Sequence, residues 1–381
     1  MGRATGARTS LRPCGQGYGM NSHPVDLIWN ITRQCPWDCA VCCVDAVPMS
    51  RHTPQSQPGE LSYGEKLSVL DNLAGFAPKI DISGGDPLAI PDALRLIEEC
   101  SRRLGPTNVT VTATGATLAR LEPDFAVRHV GELNLTYDMP EPPNTETRPR
   151  QYSNANLSAA RRFLQAGLLL RAECPLTTRN IAAHDLERIY LDLHEAGVQT
   201  LLITRMFPVG RGRYCTAIVP SARQYRSALT HLRQLESLHS YPEVKLQCAL
   251  RFFDSPKHLT NPCDLVRLSF GLMPDGTLLA SPWAYGLFGR PLDDAWVLGN
   301  LAISPLSDIL TSDKARYYAA HLDDNFGHCK VFSWLNSKRS ASIERIFDTS
   351  DPLLTLRERT PNRCVHPDLE IATLRSAISG G

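Results

Sequence analysis

The sequence predicts an α/β protein built on a parallel sheet, followed by a smaller, loop-rich part of mixed structure. Three observations carry this. Strand-like and helix-like stretches alternate through the first two-thirds of the chain. Tight glycine turns follow some of the strands. Near residue 243 the long amphipathic helices give way to a hairpin and short pieces. The chain has 381 residues, is 43% hydrophobic and carries a formal net charge of +1. That length allows two or three domains, or one large α/β barrel with an appendage. Near-neutral charge gives no reason to expect a nucleic-acid or anionic-membrane partner. No apolar run reaches the roughly 18 residues a membrane span needs. The opening "MGRATGARTSLRPCGQGYGM" has arginines but no apolar core behind them, so it is not a signal peptide. Residues 1–24 are read as a flexible lead, and the protein as cytoplasmic.

The elements follow in order. "VDLIWNITRQ" is an apolar, β-branched strand that runs up to Cys35. "KIDISGGDPLAIPDALRLIEEC" reads as strand, glycine turn and helix. "NVTVTATG" and "ELNLTYD" are strands, the second followed by a proline-rich loop, "MPEPPNTETRPRQ", and the helix "NLSAARRFLQAG". "LLLRAECPLT" is a strand. "AAHDLERIYLDLHEAG" is a helix with apolar residues at helical spacing, closed by Gly197. "VQTLLITRMFPVGRGR" is a strand entering a glycine- and arginine-rich loop, and "SARQYRSALTHLRQLESL" is a helix. Repeated βα units require a parallel sheet with right-handed crossovers. About six of them suit an incomplete, TIM-like (βα)6 barrel over residues 25–242, with ligands at the C-terminal ends of the strands.

Four of the twelve cysteines fall within "QCPWDCAVCCVD", residues 34–45. In a reducing compartment such clusters are metal ligands or catalytic groups rather than disulfides. Cys35, Cys39 and Cys42 are spaced C-x3-C-x2-C. Zinc sites draw four ligands from two separated pairs, and no second pair lies near here. Three thiolates would satisfy three irons of a [4Fe–4S] cube and leave the fourth iron open to a chelating cofactor. Cys43 directly follows Cys42, so its side chain is expected to point elsewhere. Cys100, on a helix, reads as a small buried hydrophobe.

C-x3-C-x2-C directly after a first strand resembles the signature of radical S-adenosylmethionine (SAM) enzymes. The resemblance implies a [4Fe–4S] cluster whose open iron binds SAM, cleavage of SAM to a 5′-deoxyadenosyl radical, and an external one-electron reductant of the flavodoxin or ferredoxin type. It also implies the incomplete barrel. Val41 stands where the family usually has an aromatic residue that touches the adenine. Gly84, Gly85 and Asp86 in the GGDP turn are similar to the family's Gly-Gly-Glu-Pro turn, which holds the SAM amino group. In "LNLTYDMPEPPNTETRPR" the resemblance maps Thr136 to the SAM ribose and Arg148 to its carboxylate, with Arg150 as a rival. In "RMFPVGRG" it maps Val209 to the adenine.

From residue 243 the chain resembles the C-terminal auxiliary-cluster extension of a radical SAM subfamily, the SPASM and twitch domains, here over residues 243–381. "LMPDGTLLAS" reads as a hairpin turned by Asp-Gly. Cys263, Gly276 and Leu298-Gly299-Asn300 match the subfamily in order. The hairpin cysteine is replaced by Ser281, and no C-x2-C lies near Cys329, which excludes the two-cluster form. One further [4Fe–4S] cluster on Cys263, Cys329 and Cys364 is the expectation, with Cys248 either closing it or leaving an open iron. The competing reading is a metal-free relic. His328 and His366 flank two of these cysteines and are read as surface residues.

The chemistry would belong to the cofactor, with the protein binding, orienting and excluding water. No acid or base is nominated; Asp138, beside Thr136, is the nearest candidate. About 24 residues precede the first strand, short for a peptide-binding domain, so the expected substrate is a small molecule of secondary metabolism: a sugar, aminoglycoside or nucleoside. Dehydrogenation, deoxygenation, epimerisation and sulfur insertion stay open. The alternatives are modification of a ribosomal peptide and, outside enzymes, an iron–sulfur or zinc-binding regulator. The triplet makes a direct prediction. Alanine at Cys35, Cys39 or Cys42 abolishes 5′-deoxyadenosine release from SAM, and Cys43→Ala retains it. Equal loss in Cys43→Ala would overturn the ligand assignment.

Overall fold

The computed structural model describes residues 23–50, 57–140, 147–255, 260–340 and 342–355. Cys14, Cys364 and His366, and most of the lead segment, lie outside them.

Among the described residues there are twelve strands and eleven α-helices, alternating through most of the chain. The strands are β1 (His23–Asn30), β2 (Gln34–Cys35), β3 (Val47–Pro48), β4 (Phe76–Ser83), β5 (Val109–Thr112), β6 (Glu132–Thr136), β7 (Leu169–Leu176), β8 (Thr200–Arg205), β9 (Glu243–Leu246), β10 (Ser269–Leu272), β11 (Thr277–Leu279) and β12 (Val297–Asn300). The helices are α1 (Tyr63–Asp71), α2 (Ala93–Leu104), α3 (Gly115–Leu118), α4 (Pro123–His129), α5 (Tyr152–Gln165), α6 (Ala183–Ala196), α7 (Ala222–Leu238), α8 (Ala249–Asp254), α9 (Leu306–Leu310), α10 (Asp313–His321) and α11 (Lys330–Asn336). Ten strands form one sheet in the order β12-β11-β10-β1-β4-β5-β6-β7-β8-β9. It is parallel from β10 through β9, and β11 and β12 add on antiparallel. This is the mixed α/β fold with a largely parallel sheet that the βα repeats predict. The last two parallel strands come from beyond residue 242. β9 extends the sheet past β8, and β10 pairs with β1.

Local chemistry explains the boundaries. Ser62 and Glu65 form a capping box at α1, as Ser221 and Gln224 do at α7. Gly197 closes α6 in the left-handed region, at φ 84°. Helix α2 buries Ala93, Leu96, Ile97 and Cys100, one stripe at helical spacing. Cys100 is therefore core, as its sequence context predicts. The hairpin between β10 and β11 turns over three residues, because Met273 N–H donates to Thr277 O and Gly276 adopts φ 83°. The Asp-Gly signal was right, and the loop is one residue longer than a two-residue turn.

The parallel strands have two different faces. Outward residues such as Leu27, Trp29, Ile80, Ile82, Val111, Leu133, Leu135, Ala172 and Ile203 are fully buried in the main core. The alternate residues are polar: Asp26 on β1, Lys79 and Asp81 on β4, Thr110 and Thr112 on β5, Arg171 and Glu173 on β7. All of these line a cavity on the concave side. A strand with an apolar outer face and a polar inner face fits a sheet curved around a wet lumen.

The C-terminal part is tied to the barrel by a buried ion pair. Arg205, last residue of β8, meets Asp351 at 2.9 Å, with side chains 5% and 0% exposed. The Asp351 carboxylate also accepts from the backbone N–H groups of Cys329 at 2.9 Å and Leu353 at 3.0 Å. Among the described residues no helix is long and apolar enough to cross a membrane. Breaking such a pair on one side leaves an uncompensated buried charge, which costs about 3–5 kcal/mol. Arg205→Met is therefore expected to lower unfolding free energy by about that much, measured by chemical denaturation. A loss within experimental error would show that Asp351 relaxes towards solvent.

Candidate active site

A cavity of about 580 Å³ opens where the parallel strands end. Its mouth is formed by the loop that leaves β1. Cys35, Cys39 and Cys42 all line it, and so does Cys43. The loop is pinned from several sides. Arg33 N–H donates to Glu60 Oε1 at 2.6 Å, and the Arg33 guanidinium to Asp45 O at 2.8 Å. Arg211 donates to Cys39 O at 3.0 Å and Ala46 O at 2.8 Å, and pairs with Asp38 at 3.2 Å. Gly212 N–H donates to Cys42 O at 3.2 Å. The arginine-rich loop after β8 thus acts as the far wall of the cysteine loop.

Gly84 and Gly85 line the cavity too, and the close approach they permit is chiefly to protein backbone. Gly85 N–H donates to Thr32 O at 2.8 Å, and Asp86 N–H to Gln34 O at 2.7 Å. A Cβ at Gly85 would lie 2.3 Å from Gln34 O and 2.5 Å from Arg33 O. Any side chain there would push the cysteine loop off the sheet.

Asp86 is the main correction among the site residues. It was expected to present its carboxylate to a ligand. It is fully buried and turned inward, away from the lining of the cavity. Its oxygens accept from Thr114 N–H at 3.1 Å, Thr114 Oγ1 at 2.6 Å, Thr117 Oγ1 at 2.8 Å and Leu88 N–H at 3.1 Å. Those donors fill the shortened side chain's reach, so Asp86 shapes the turn. Burial pushes its pKa up, against the pull of these hydrogen bonds.

The remaining predictions divide. Thr136 and Arg148 line the cavity. Arg148 is buried and grips Asp138 with Nε and Nη2 at 3.0 and 2.7 Å, over the ring of Tyr152. Arg150 is exposed. Val41 lines the cavity and packs with Met206, Cys215 and Ile218. Val209 does not line it; it is 1% exposed in the main core. Met206 and Phe207 take its place on the wall, with Phe207 stacked on Trp283 at 4.7 Å.

Burial pushes the thiols of Cys35 and Cys39 up, the latter against the Arg148 charge. Cys43 is pushed up to about 12. Contrary to expectation, Cys43 does not point elsewhere. It shares the cavity and feels the charges of Cys42 and Glu173. Among the described residues no three His, Cys, Asp or Glu side chains are gathered closely enough to hold a metal ion.

The C-terminal cysteines form a second group. Cys248 and Cys263 line the same cavity, and Cys329 is buried and does not line it. Each of Cys248 and Cys329 is raised by burial and by the charge of Cys263. Cys248 sits at φ 41°, ψ −122°, a conformation rare for a residue with a side chain. His328 is half-buried rather than on the open surface, and burial lowers its pKa. Ser281, in place of the hairpin cysteine, is buried and caps Trp283 N–H at 3.2 Å.

The lumen residues escaped the sequence reading. Asp81 accepts from Thr112 Oγ1 at 2.8 Å, Asn134 donates to both, and Arg171 pairs with Glu132 at 3.5 Å. Glu173 stands level with Thr136 on the neighbouring strand. The available signal was "RAE" inside an apolar strand, two charges two residues apart and hence on one face. Desolvation pushes Glu173 up to about 7; Asp81 and Glu132 add to this and Arg171 opposes it. A carboxyl whose folded pKa lies above its ordinary 4.5 contributes stability at low pH that is lost as pH rises through 7. Glu173→Gln should therefore gain melting temperature on wild type from about pH 4.5 to about pH 7, and hold the gain above. A pH-independent difference would mean that the carboxylate is fully solvated.

No protein-family model matches the chain. It is 26% identical over 280 residues to a PqqA peptide cyclase of Streptomyces rochei, covering 71% of this chain and 73% of the relative. In structure it is similar to Streptococcus suis SuiB bound to precursor peptide SuiA, with a TM-score of 0.57 and 15% identity, over 77% of this chain and 66% of SuiB. It is also similar to anSMEcpe with bound AdoMet and Cp18Cys peptide, with a TM-score of 0.58 and 14% identity, over 87% and 96%. The cysteine triplet and the GGDP turn behind it are features the chain shares with radical SAM enzymes, which it resembles in sequence, and its largely parallel sheet has the fold of these structural neighbours.

Proposed function

We propose that this enzyme uses a [4Fe–4S] cluster and SAM to modify a ribosomally made precursor peptide. The observation that carries this is the convergence of Cys35, Cys39 and Cys42 on one cavity at the C-terminal ends of the strands, in a chain whose relatives handle peptides. This corrects the small-molecule expectation. A relative named for a peptide substrate, and two neighbours with peptides bound, outweigh the count of residues before the first strand, which is not a property of the site. A sugar, aminoglycoside or nucleoside is no longer the reading.

The residues present fit the cluster. Three free thiols share one wall, and a cube of four irons spreads its thiolates more widely than a single ion does. When bound, the cluster and SAM supply a 5′-deoxyadenosyl radical that takes a hydrogen atom from the substrate. The chain's own part is positional. Gly84 and Gly85 leave room beside the thiols, and Thr136 offers a hydroxyl at a strand end. Arg148, held by Asp138, keeps a cation beside Cys39. Val41, Met206 and Phe207 form the apolar wall. Glu173 and Asp81 give the lumen polar contacts for a peptide. Residues 25–242 would supply this site, with 1–24 as a lead, and 243–381 would carry a second cluster on Cys248, Cys263 and Cys329, with Cys364 as the further candidate. A flavodoxin- or ferredoxin-type donor would supply the electron, in a reducing cytoplasm.

Anaerobic incubation with SAM and dithionite tests the reading, with short synthetic peptides, among them PqqA and SuiA, set against sugars and nucleosides. Peptides are expected to raise 5′-deoxyadenosine release several-fold and to change mass themselves. Stimulation confined to sugars or nucleosides would overturn it.

A further inference from the structure

A run of stacked side chains ends on the wall of the cavity. Of the five tryptophans, Trp29, Trp296 and Trp334 are buried in the main core, and Trp37 and Trp283 line the cavity. Trp37 belongs to the packing of the cysteine loop. Its indole N–H donates to Thr114 Oγ1 at 3.1 Å, and its ring meets Tyr152 edge to face at 5.5 Å and 71°. Trp283 is placed differently. Its ring lies parallel to that of Phe207, with centroids 4.7 Å apart and planes 4° apart. Phe207 also meets Phe332 at 5.3 Å, and the Arg205 guanidinium sits 3.4 Å from the centre of the Phe332 ring. Arg205, Phe332 and Phe207 are buried, and Asp351 fixes Arg205. Trp283 is the half-buried member of the run.

The backbone under Trp283 is held as firmly as its ring. Trp283 N–H donates to Ser281 Oγ and Ala284 N–H to Ser281 O, each at 3.2 Å. This is a tight turn with Pro282 at its second position, where the proline ring sets φ. Ser281, the residue in place of the hairpin cysteine, thus orients a tryptophan. A side chain needed only to cover Phe207 need not be aromatic, since a leucine removes apolar surface from water as well. A parallel stack leaves the far face of the indole parallel to the first. Among the described residues no second ring and no cation lies against that face. The four arginines that line the cavity are engaged elsewhere: Arg148 by Asp138, Arg171 by Glu132, Arg205 by Asp351 and Arg251 by Pro262 O.

We propose that Trp283 is a stacking platform for an aromatic side chain of the substrate, a specificity-determining residue rather than a catalytic one. This rests on the reading that the substrate is a peptide. A second π system is the partner that an open indole face of fixed orientation favours beyond simple burial. The guest meets a surface that is already rigid, so little side-chain freedom is lost on the protein's part when it binds. The other planar group that such a face could take is the adenine of SAM. The two are told apart by which ligand loses affinity when the indole is removed.

The test uses the full chain, reconstituted anaerobically with iron and sulfide. The probes are two glycine pentapeptides that differ at the central residue, phenylalanine in one and cyclohexylalanine in the other. These side chains match in size, and only one has a π system. Dissociation constants come from ligand-observed NMR titrations. Trp283→Leu is expected to lower the ratio of phenylalanine to cyclohexylalanine affinity by about twofold to tenfold, the worth of one aromatic pair beyond its buried area. Trp283→Phe, which keeps a ring, should hold the ratio. SAM affinity, measured by equilibrium dialysis, should be unchanged in both. Circular dichroism identifies a variant that fails to fold, and Trp283→Met then replaces Trp283→Leu. The same ratio in wild type and in folded Trp283→Leu or Trp283→Met overturns the platform and leaves the peptide reading standing. Equal loss in folded Trp283→Phe also overturns it, in favour of shape alone. A fall in SAM affinity with the peptide ratio unchanged gives the face to adenine and overturns it too. No binding of either pentapeptide to the wild-type chain overturns the platform, and if PqqA and SuiA also fail to bind, the peptide reading falls with it.

Discussion

Everything at the mouth of the cavity depends on one backbone seam. The strand-like stretch Thr32–Gln34 is hydrogen-bonded to the turn Gly84–Asp86, at distances of 2.7–2.8 Å. At that spacing there is no room for a side chain on Gly85, whose Cβ would fall 2.3 Å from a carbonyl oxygen. The seam fixes where the cysteine loop begins, and Arg33 and Arg211 fix how it continues. Asp86 belongs to the same unit. Buried and fully hydrogen-bonded, it locks the turn to Thr114 and Thr117 at the start of α3. The GGDP motif is thus first a structural joint between two βα units, and its glycines face the cavity as a result.

Burial has opposite uses on the two faces of the sheet. Outward, it supplies the apolar core that holds strands to helices, at about 25 cal/mol per Å² removed from water. Inward, it raises the cost of charge. The acids Asp26, Asp81 and Glu173 and the thiols of Cys35, Cys39 and Cys43 are all pushed towards their protonated forms by desolvation. Metal ligation reverses this for thiols, because the bound metal replaces the proton. The Arg148 charge opposes the rise at Cys39, and the Arg205 charge opposes it at Cys329.

The C-terminal part does not stand aside from the barrel. β9 and β10 extend the parallel sheet at both sides, Trp283 stacks on Phe207, and Arg205 reaches Asp351. The cysteine loop after β1 and, from the C-terminal part, Cys248 and Cys263 consequently border one cavity. Such a site is open to a chain passing along it as well as to a compact ligand, so its volume by itself does not choose between them.

The sequence by itself determined the α/β class, the βα order, most helix ends and the cysteine triplet, because these rest on short-range chemistry. Hydrophobic spacing, capping serines, a closing glycine and a C-x3-C-x2-C run are all legible within a few residues. Only the tertiary structure decided which way side chains turn. Asp86 faces inward because Thr114 and Thr117, from another loop, offer it donors. Val209 is core, and Phe207 is wall, because Trp283 arrives from seventy-odd residues further on to stack with Phe207. Arg148 rather than Arg150 reaches the cavity because Asp138 takes hold of it. Glu173 looked unremarkable in sequence, since what burial does to a titratable group is defined by its surroundings, and those neighbours come together only when the chain folds.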